Sequence, residues 1–171
     1  MISRWGRYVL LAVVGAVVLL YVAFATGAIA PYLGGYDPGA EEYDYATVTV
    51  YDAETDEELG RVDAAVADTF AKRYVGLSET EALPEDRGML FVHDDPGNHT
   101  YVMRNMSFGI DILFVDADGR ITAIHEAPAP APDEDGESQQ YRGYGQYVLE
   151  VNYGWSADRD VEVGDRVEID R

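Results

Sequence analysis

The sequence has no cysteine and a single lysine, Lys72. Without cysteine there are no disulfides, no thiolate metal sites, no cysteine nucleophile and no lipid attachment through an N-terminal cysteine, although the absence fits either side of a membrane. Basic residues are scarce altogether, 12 against 32 acidic ones. A nucleic-acid backbone is therefore not an expected partner, because binding it requires clustered Lys and Arg. Histidine is nearly missing too, with only His93, His99 and His125. No short HxH or HExxH spacing joins them, so histidines at the solvent edges of strands are expected rather than a zinc site. No phosphate-cradling glycine loop is present, and no GxSxG surrounds Ser78, Ser107, Ser138 or Ser156. Phosphoryl transfer and serine-based hydrolysis have no support, and no cofactor is implied.

What the chain has in excess is negative charge, a net −20 over 171 residues. Self-repulsion of that size opposes a compact state unless concentrated salt screens it, so the expectation is a halophilic source. The acids are also unevenly placed. None precedes residue 31, whereas Arg4 and Arg7 stand just before an uncharged run at residues 8–30. As a helix that run would extend about 35 Å, enough to cross a hydrocarbon core of about 30 Å. The charge bias predicts residues 1–7 in the cytoplasm, a transmembrane anchor at 8–30, a linker at 31–45 and an extracytoplasmic domain at 46–171. The alternative is a signal sequence cleaved near Ala25 or Ala30, leaving a secreted domain. Both versions export the domain.

Within the domain, the alternation of Thr47–Tyr51 predicts a half-buried strand, with Val62–Ala67 as its hairpin partner. A short helix is expected near Thr69–Leu77, capped by Asp68 or Thr69, with Phe70, Tyr74 and Leu77 on one face. Met89–Val92 reads as a strand, Asp94–Asn98 as a turn, and Thr100–Met103 as the next strand. The stretch from Tyr101 to Asp116 organises the rest. A polar knot (Arg104, Asn105, Ser107, Asp111) leads into the apolar run Ile110–Val115, a turn at Asp116–Gly119 and a second strand from Ile121. Residues 127–140, with three prolines, predict an extended solvated loop, and strands are expected at Gln146–Val151 and after Val163-Gly-Asp165. Seven or eight short strands and one helix argue for a mainly β sandwich or barrel.

Arg73-x-x-Gly76-Leu77, Gly88-Met-Leu-Phe-Val92, Met103-x-Asn105, Asp111-Ile-x-Phe114-x-Asp116, Val148-Leu-Glu-Val151 with Gly154-Trp155, and Val163-Gly-Asp165 follow one another in that order. In this the chain resembles the domain-of-unknown-function family 192 over about residues 70–168. The resemblance implies a compact, jelly-roll-like β domain, often exported, with no established activity. This member departs at Met106, where the family usually has threonine, and at Gly109-Ile110, where it has proline-leucine. The 127–140 loop also lacks the cysteines that many members carry.

Arg73, Met103, Asn105, Asp111, Glu150 and Asn152 fall within these motifs and, with Tyr141, are the candidate ligand-binding residues. Arg73 would clamp an anionic or hydroxylated ligand while carboxylates and amides orient it. The competing reading is a structural network that satisfies backbone groups at strand corners. Asp111 and Glu150 are also the candidate carboxylate pair of a hydrolase, which requires them about 5–10 Å apart across one cleft. The tyrosines of Tyr141–Tyr147 suit stacking on a sugar or a protein. The expected function is a membrane-anchored extracytoplasmic domain that binds a small molecule, glycan or protein. An extracytoplasmic hydrolase and a structural part of an envelope complex are the alternatives.

Overall fold

The computed structural model describes residues 43–171. The expected anchor at 8–30 and most of the expected linker lie outside the described residues, among which no helix is long and apolar enough to cross a membrane. The described chain is mainly β. Its strands are β1 (Tyr45–Tyr51), β2 (Glu58–Ala67), β3 (Arg87–Val102), β4 (Ile110–Val115), β5 (Ile121–Ala127), β6 (Gln140–Asn152) and β7 (Arg166–Asp170), with one short helix, α1 (Phe70–Val75). The last residues of the expected linker belong to the domain, since β1 starts at Tyr45 and Tyr43 packs against the core.

The strands form one mixed sheet in the order β5-β4-β6-β3-β2-β1-β7. β1 and β2 pair antiparallel as the alternation predicted, and β4 and β5 form the expected hairpin. β2 and β3 run parallel. Parallel neighbours need a crossover, and the chain between Ala67 and Arg87, carrying α1, supplies it. This corrects the jelly-roll expectation, because a jelly roll is two antiparallel sheets and this domain has one sheet with a parallel pair. Strand spacing in the sequence cannot tell these apart.

The sheet curls until its ends approach. Arg120 bridges Arg166, Ile121 N–H donates to Asp165 O at 3.0 Å, and Val167 N–H donates to Gly119 O at 2.7 Å. Side chains from all seven strands, including Val48, Val62, Leu90, Leu113, Ile121, Leu149 and Val167, therefore meet in a single inner cluster. The opposite face carries a second cluster built on Met89, Phe91, Met103, Ile112, Phe114 and Val148. β4 reads as a continuous apolar run because both of its faces are covered, one by each cluster. Gly143 is what lets β6 pass over this outer face. A Cβ there would lie 2.2 Å from the Phe114 ring.

α1 is shorter than expected. Thr69 caps it by accepting from Lys72 N at 3.1 Å, and Gly76, at φ +51°, ends it. Leu77 lies beyond the helix and is buried. Phe70 and Tyr74 stack at 6.3 Å, 79% and 58% exposed. The predicted apolar face is thus split between core and surface.

The Asp94–Asn98 turn is corrected to a bulge inside one long strand. Pairing passes from Val92↔Tyr147 to Gly97↔Gly145, so four residues of β3 face only Gln146 of β6. Gln146 Nε2 donates to His93 O at 3.4 Å. Turn-forming residues bend the strand without reversing it, because β6 continues alongside and holds both ends. Residues 127–140 are more ordered than a solvated loop. They contain a 3-10 turn at Gly136–Ser138, pinned by Met103 N–H donating to Gly136 O at 3.0 Å.

Candidate functional site

α1 and the bulged half of β3 enclose an open cavity of about 380 Å³ over the outer face of the sheet. Val75, Leu77, Phe91, Val102 and Ile110 give it apolar wall, Phe70 and Tyr74 stand on its rim, and Glu150 lines it from the central strand β6. Arg104 seals one side. Its guanidinium lies 4.1 Å over the Tyr74 ring and donates to Tyr74 O, and Glu137 Oε1 is 3.7 Å away.

Glu150 is 5% exposed and sits between Met89 of β3 and Ile112 of β4. Among the described residues no hydrogen bond or ion pair holds its carboxyl. Burial alone pushes its pKa up to about 8, since nothing nearby offsets the loss of water around the charge. Such an acid is mostly protonated at neutral pH.

The other ionisable groups of the cavity are engaged. Arg73 donates through one nitrogen to Asp68 O and Val92 O, both at 2.7 Å. His93 and His99 stack face to face at 3.5 Å, brought together by the bulge although six positions separate them. His93 Nε2 lies 3.0 Å from Tyr101 Oη, and His99 Nε2 lies 3.1 Å from Gly145 O. Burial, then the neighbouring His99 and Arg73, lower the His93 pKa to about 4, against a weaker opposing effect of Asp94. Burial, reinforced by Glu150 and opposed by Arg73, raises that of Tyr101. The phenol therefore keeps its proton, and we assign the Tyr101 O–H as donor to a neutral His93.

Of the residues predicted from sequence, the fold brings Arg73 and Glu150 to this one cavity and sends the rest elsewhere. Asp111 neighbours Ile112 on β4, which faces the outer cluster, so Asp111 points to the inner face. There it is fully buried and accepts Gly154 N at 2.9 Å and Ser156 N at 2.8 Å. Asp111 and Glu150 thus project from opposite faces of the sheet and do not flank one cleft. The predicted polar knot is dispersed in the same way, with Arg104 on Tyr74, Asn105 and Ser107 exposed, and Asp111 inside. Asn105 adopts φ +56° and, with Met103, borders a separate, polar depression against residues 130–137. Met103 itself is fully buried. Asn152 Nδ2 donates to Pro84 O at 2.9 Å, and Tyr141 Oη donates to Gln139 Oε1 at 3.1 Å. Tyr141 packs on the outer cluster and Tyr147 on the inner one, so Tyr141–Tyr147 makes strand rather than a common rim.

Sequence reasoning missed Phe70, Tyr74, Tyr101 and the histidine pair. His93 and His99 are half-buried rather than at solvent edges, and His125 stands apart, edge-on to Phe114 and 2.9 Å from Arg142 O. One signal was available, the pair of histidines flanking a turn-rich segment.

A family model described as DUF192, "Uncharacterized ACR", matches residues 51–169. Comparison with curated proteins gives no match. A crystal structure from Sinorhizobium meliloti 1021, described as a candidate transcription regulator, is similar at TM-score 0.68 and 26% identity, over 77% of this chain and 98% of that one. A protein of unknown function from Novosphingobium aromaticivorans DSM 12444 is similar at TM-score 0.61 and 28% identity, over 77% and 95%.

Proposed function

We propose a function for this chain as a member of the uncharacterised DUF192 family, to which it belongs: it binds a small ligand in the cavity between α1 and the outer face of the sheet. The observation that carries this reading is the combination of an open, largely apolar cavity with a buried, uncommitted carboxyl and two exposed stacked aromatic rings at its rim. Apolar walls with a few placed polar groups are what small-molecule sites are made of. The hydrolase reading is weaker, because its two carboxylates face opposite ways. Nor does the description of the S. meliloti protein carry over readily, since 12 basic against 32 acidic residues oppose contact with nucleic acid. The reading extends to a domain displayed outside the cell, anchored through residues 8–30 or secreted, in a salt-adapted organism. It is supported by the charge distribution along the sequence.

The test is thermal unfolding of the full-length chain in a KCl series, against a panel of sugars, amines and carboxylates. Wild type is compared with the double variant Phe70→Ala/Tyr74→Ala. Both rings are exposed, and the variant loses their stack and the Arg104 contact, so it should fold within about 2 kcal/mol of wild type. A ligand that raises the wild-type midpoint should raise the variant's less. An undiminished shift places the ligand elsewhere, and no shift with any compound removes the binding reading. A midpoint that does not climb with KCl removes the salt-adapted part.

A further inference from the structure

We propose that the cavity takes a primary ammonium group carried on a short apolar or aromatic body, with Glu150 as its counter-ion. The proposal rests on the binding reading above and names the chemistry of its ligand.

Among the described residues, Glu150 is the one carboxyl that lines the cavity. Arg73 already donates to two main-chain carbonyls, and Arg104 is stacked on Tyr74 and donates to its carbonyl. His99 is bonded to Gly145 O, and His93 is paired with Tyr101. Arg73 donates through Nη1 alone, so an entering anion would have its Nη2 and Nε as donors. Glu150, with no hydrogen bond or ion pair, is 5% exposed and aimed from the sheet into the cavity. An ammonium offers it three donors and a full charge, in surroundings where that attraction is strong and poorly screened by salt. Met89 and Ile112 beside the carboxyl offer it no bond. The wall of Val75, Leu77, Phe91 and Ile110 and the rim of Phe70 and Tyr74 suit an apolar body.

At neutral pH the Glu150 carboxylic acid meets R–NH3+, its O–H bond breaks, the carboxylate and ammonium pair, and one H+ leaves to solvent. The other titratable groups facing this space are His93, His99 and Tyr101 on β3, Arg73 on α1 and Arg104 after β3.

The experiment is titration calorimetry of the full-length chain, in detergent, with benzylammonium, benzyl alcohol and benzoate at pH 6, 7 and 8. Wild type is compared with Glu150→Gln. Benzylammonium should bind preferentially and tighten about fifty-fold from pH 6 to 8, following ionisation of the carboxyl near pH 8. Its binding should release a proton, seen as heat that varies with the buffer. Glu150→Gln should lose both the affinity and the pH dependence. Equal affinity in that variant overturns the proposal, as does failure of benzylammonium to bind. If benzoate binds best and weakens as pH rises, the cavity takes an acid, so the ammonium proposal falls while the binding reading stands. If none of the three binds and the panel above also fails, both fall.

Discussion

Raising the pH from 5 to 9 is expected to cost the domain on the order of 4 kcal/mol of folding stability through Glu150 alone. Burial lifts this carboxyl from an ordinary 4.5 to about 8. Between those values the native state holds a proton that the unfolded chain has released, so stability falls as pH rises through the window and levels off above it. Glu150→Gln carries no such proton and should be flat over the same range, so that wild type and variant are similar near pH 5 and the variant is the more stable at pH 9. His93 works in the opposite direction. Its pKa is lowered to about 4, so the unfolded chain binds the extra proton and stability is lost as pH drops from 6.5 toward 4. The Glu150 loss should therefore be most visible above pH 6.5, where His93 no longer offsets it. Urea unfolding of both proteins at half-unit steps measures the difference. Parallel curves for wild type and Glu150→Gln would mean that Glu150 ionises as an ordinary carboxylate.

Asp111→Ala is expected to cost roughly 3–5 kcal/mol, a large part of the stability of a domain this size. The carboxylate is fully buried and accepts two backbone N–H groups, Gly154 and Ser156, in the connection that follows β6. Removing it orphans both donors at once, each costing about 1–3 kcal/mol. Asp111→Asn should cost less than Asp111→Ala, since one oxygen remains to accept while the new NH2 confronts the second donor. The inner cluster should feel the change as well. Trp155 lies between the two donors in sequence and is 4% exposed, so its fluorescence should report a loosened connection before global unfolding. A midpoint change under about 1 kcal/mol for Asp111→Ala would show that the connection is held by other contacts. Because Asp111 and the cavity are on opposite faces, a folded Asp111→Asn protein should keep any ligand response that the wild type has.

These two acids show how much of the site was legible in advance. Both were singled out from the sequence, and both are buried. What differs is their neighbours: Asp111 meets two N–H donors, whereas Glu150 meets none. Side chains alternate along a strand, so the face of each acid depends on its position relative to the core clusters. The opposite orientation of Asp111 and Glu150 became visible only when β4 and β6 were paired in register, with Asp111 opposite Val151 and Ile112 opposite Glu150. The histidine pair was hidden for a related reason. Six residues of regular strand would hold the rings about 20 Å apart, and a bulge whose existence depends on the partner strand stacks them instead.

Sequence by itself determined several elements: the alternation of β1, the apolar run of β4 and its turn, a short helix capped at Asp68 or Thr69, the acidic surface and the family. Those features arise from short-range causes, namely side-chain periodicity, backbone freedom and charge. Tertiary structure decided that there is one curled mixed sheet rather than a sandwich, that Phe70 and Tyr74 are left outside, and that Glu150 is buried without a partner. Each of these depends on which distant segments pack together, and a carboxyl acquires its unusual acidity only when the whole sheet closes water away from it.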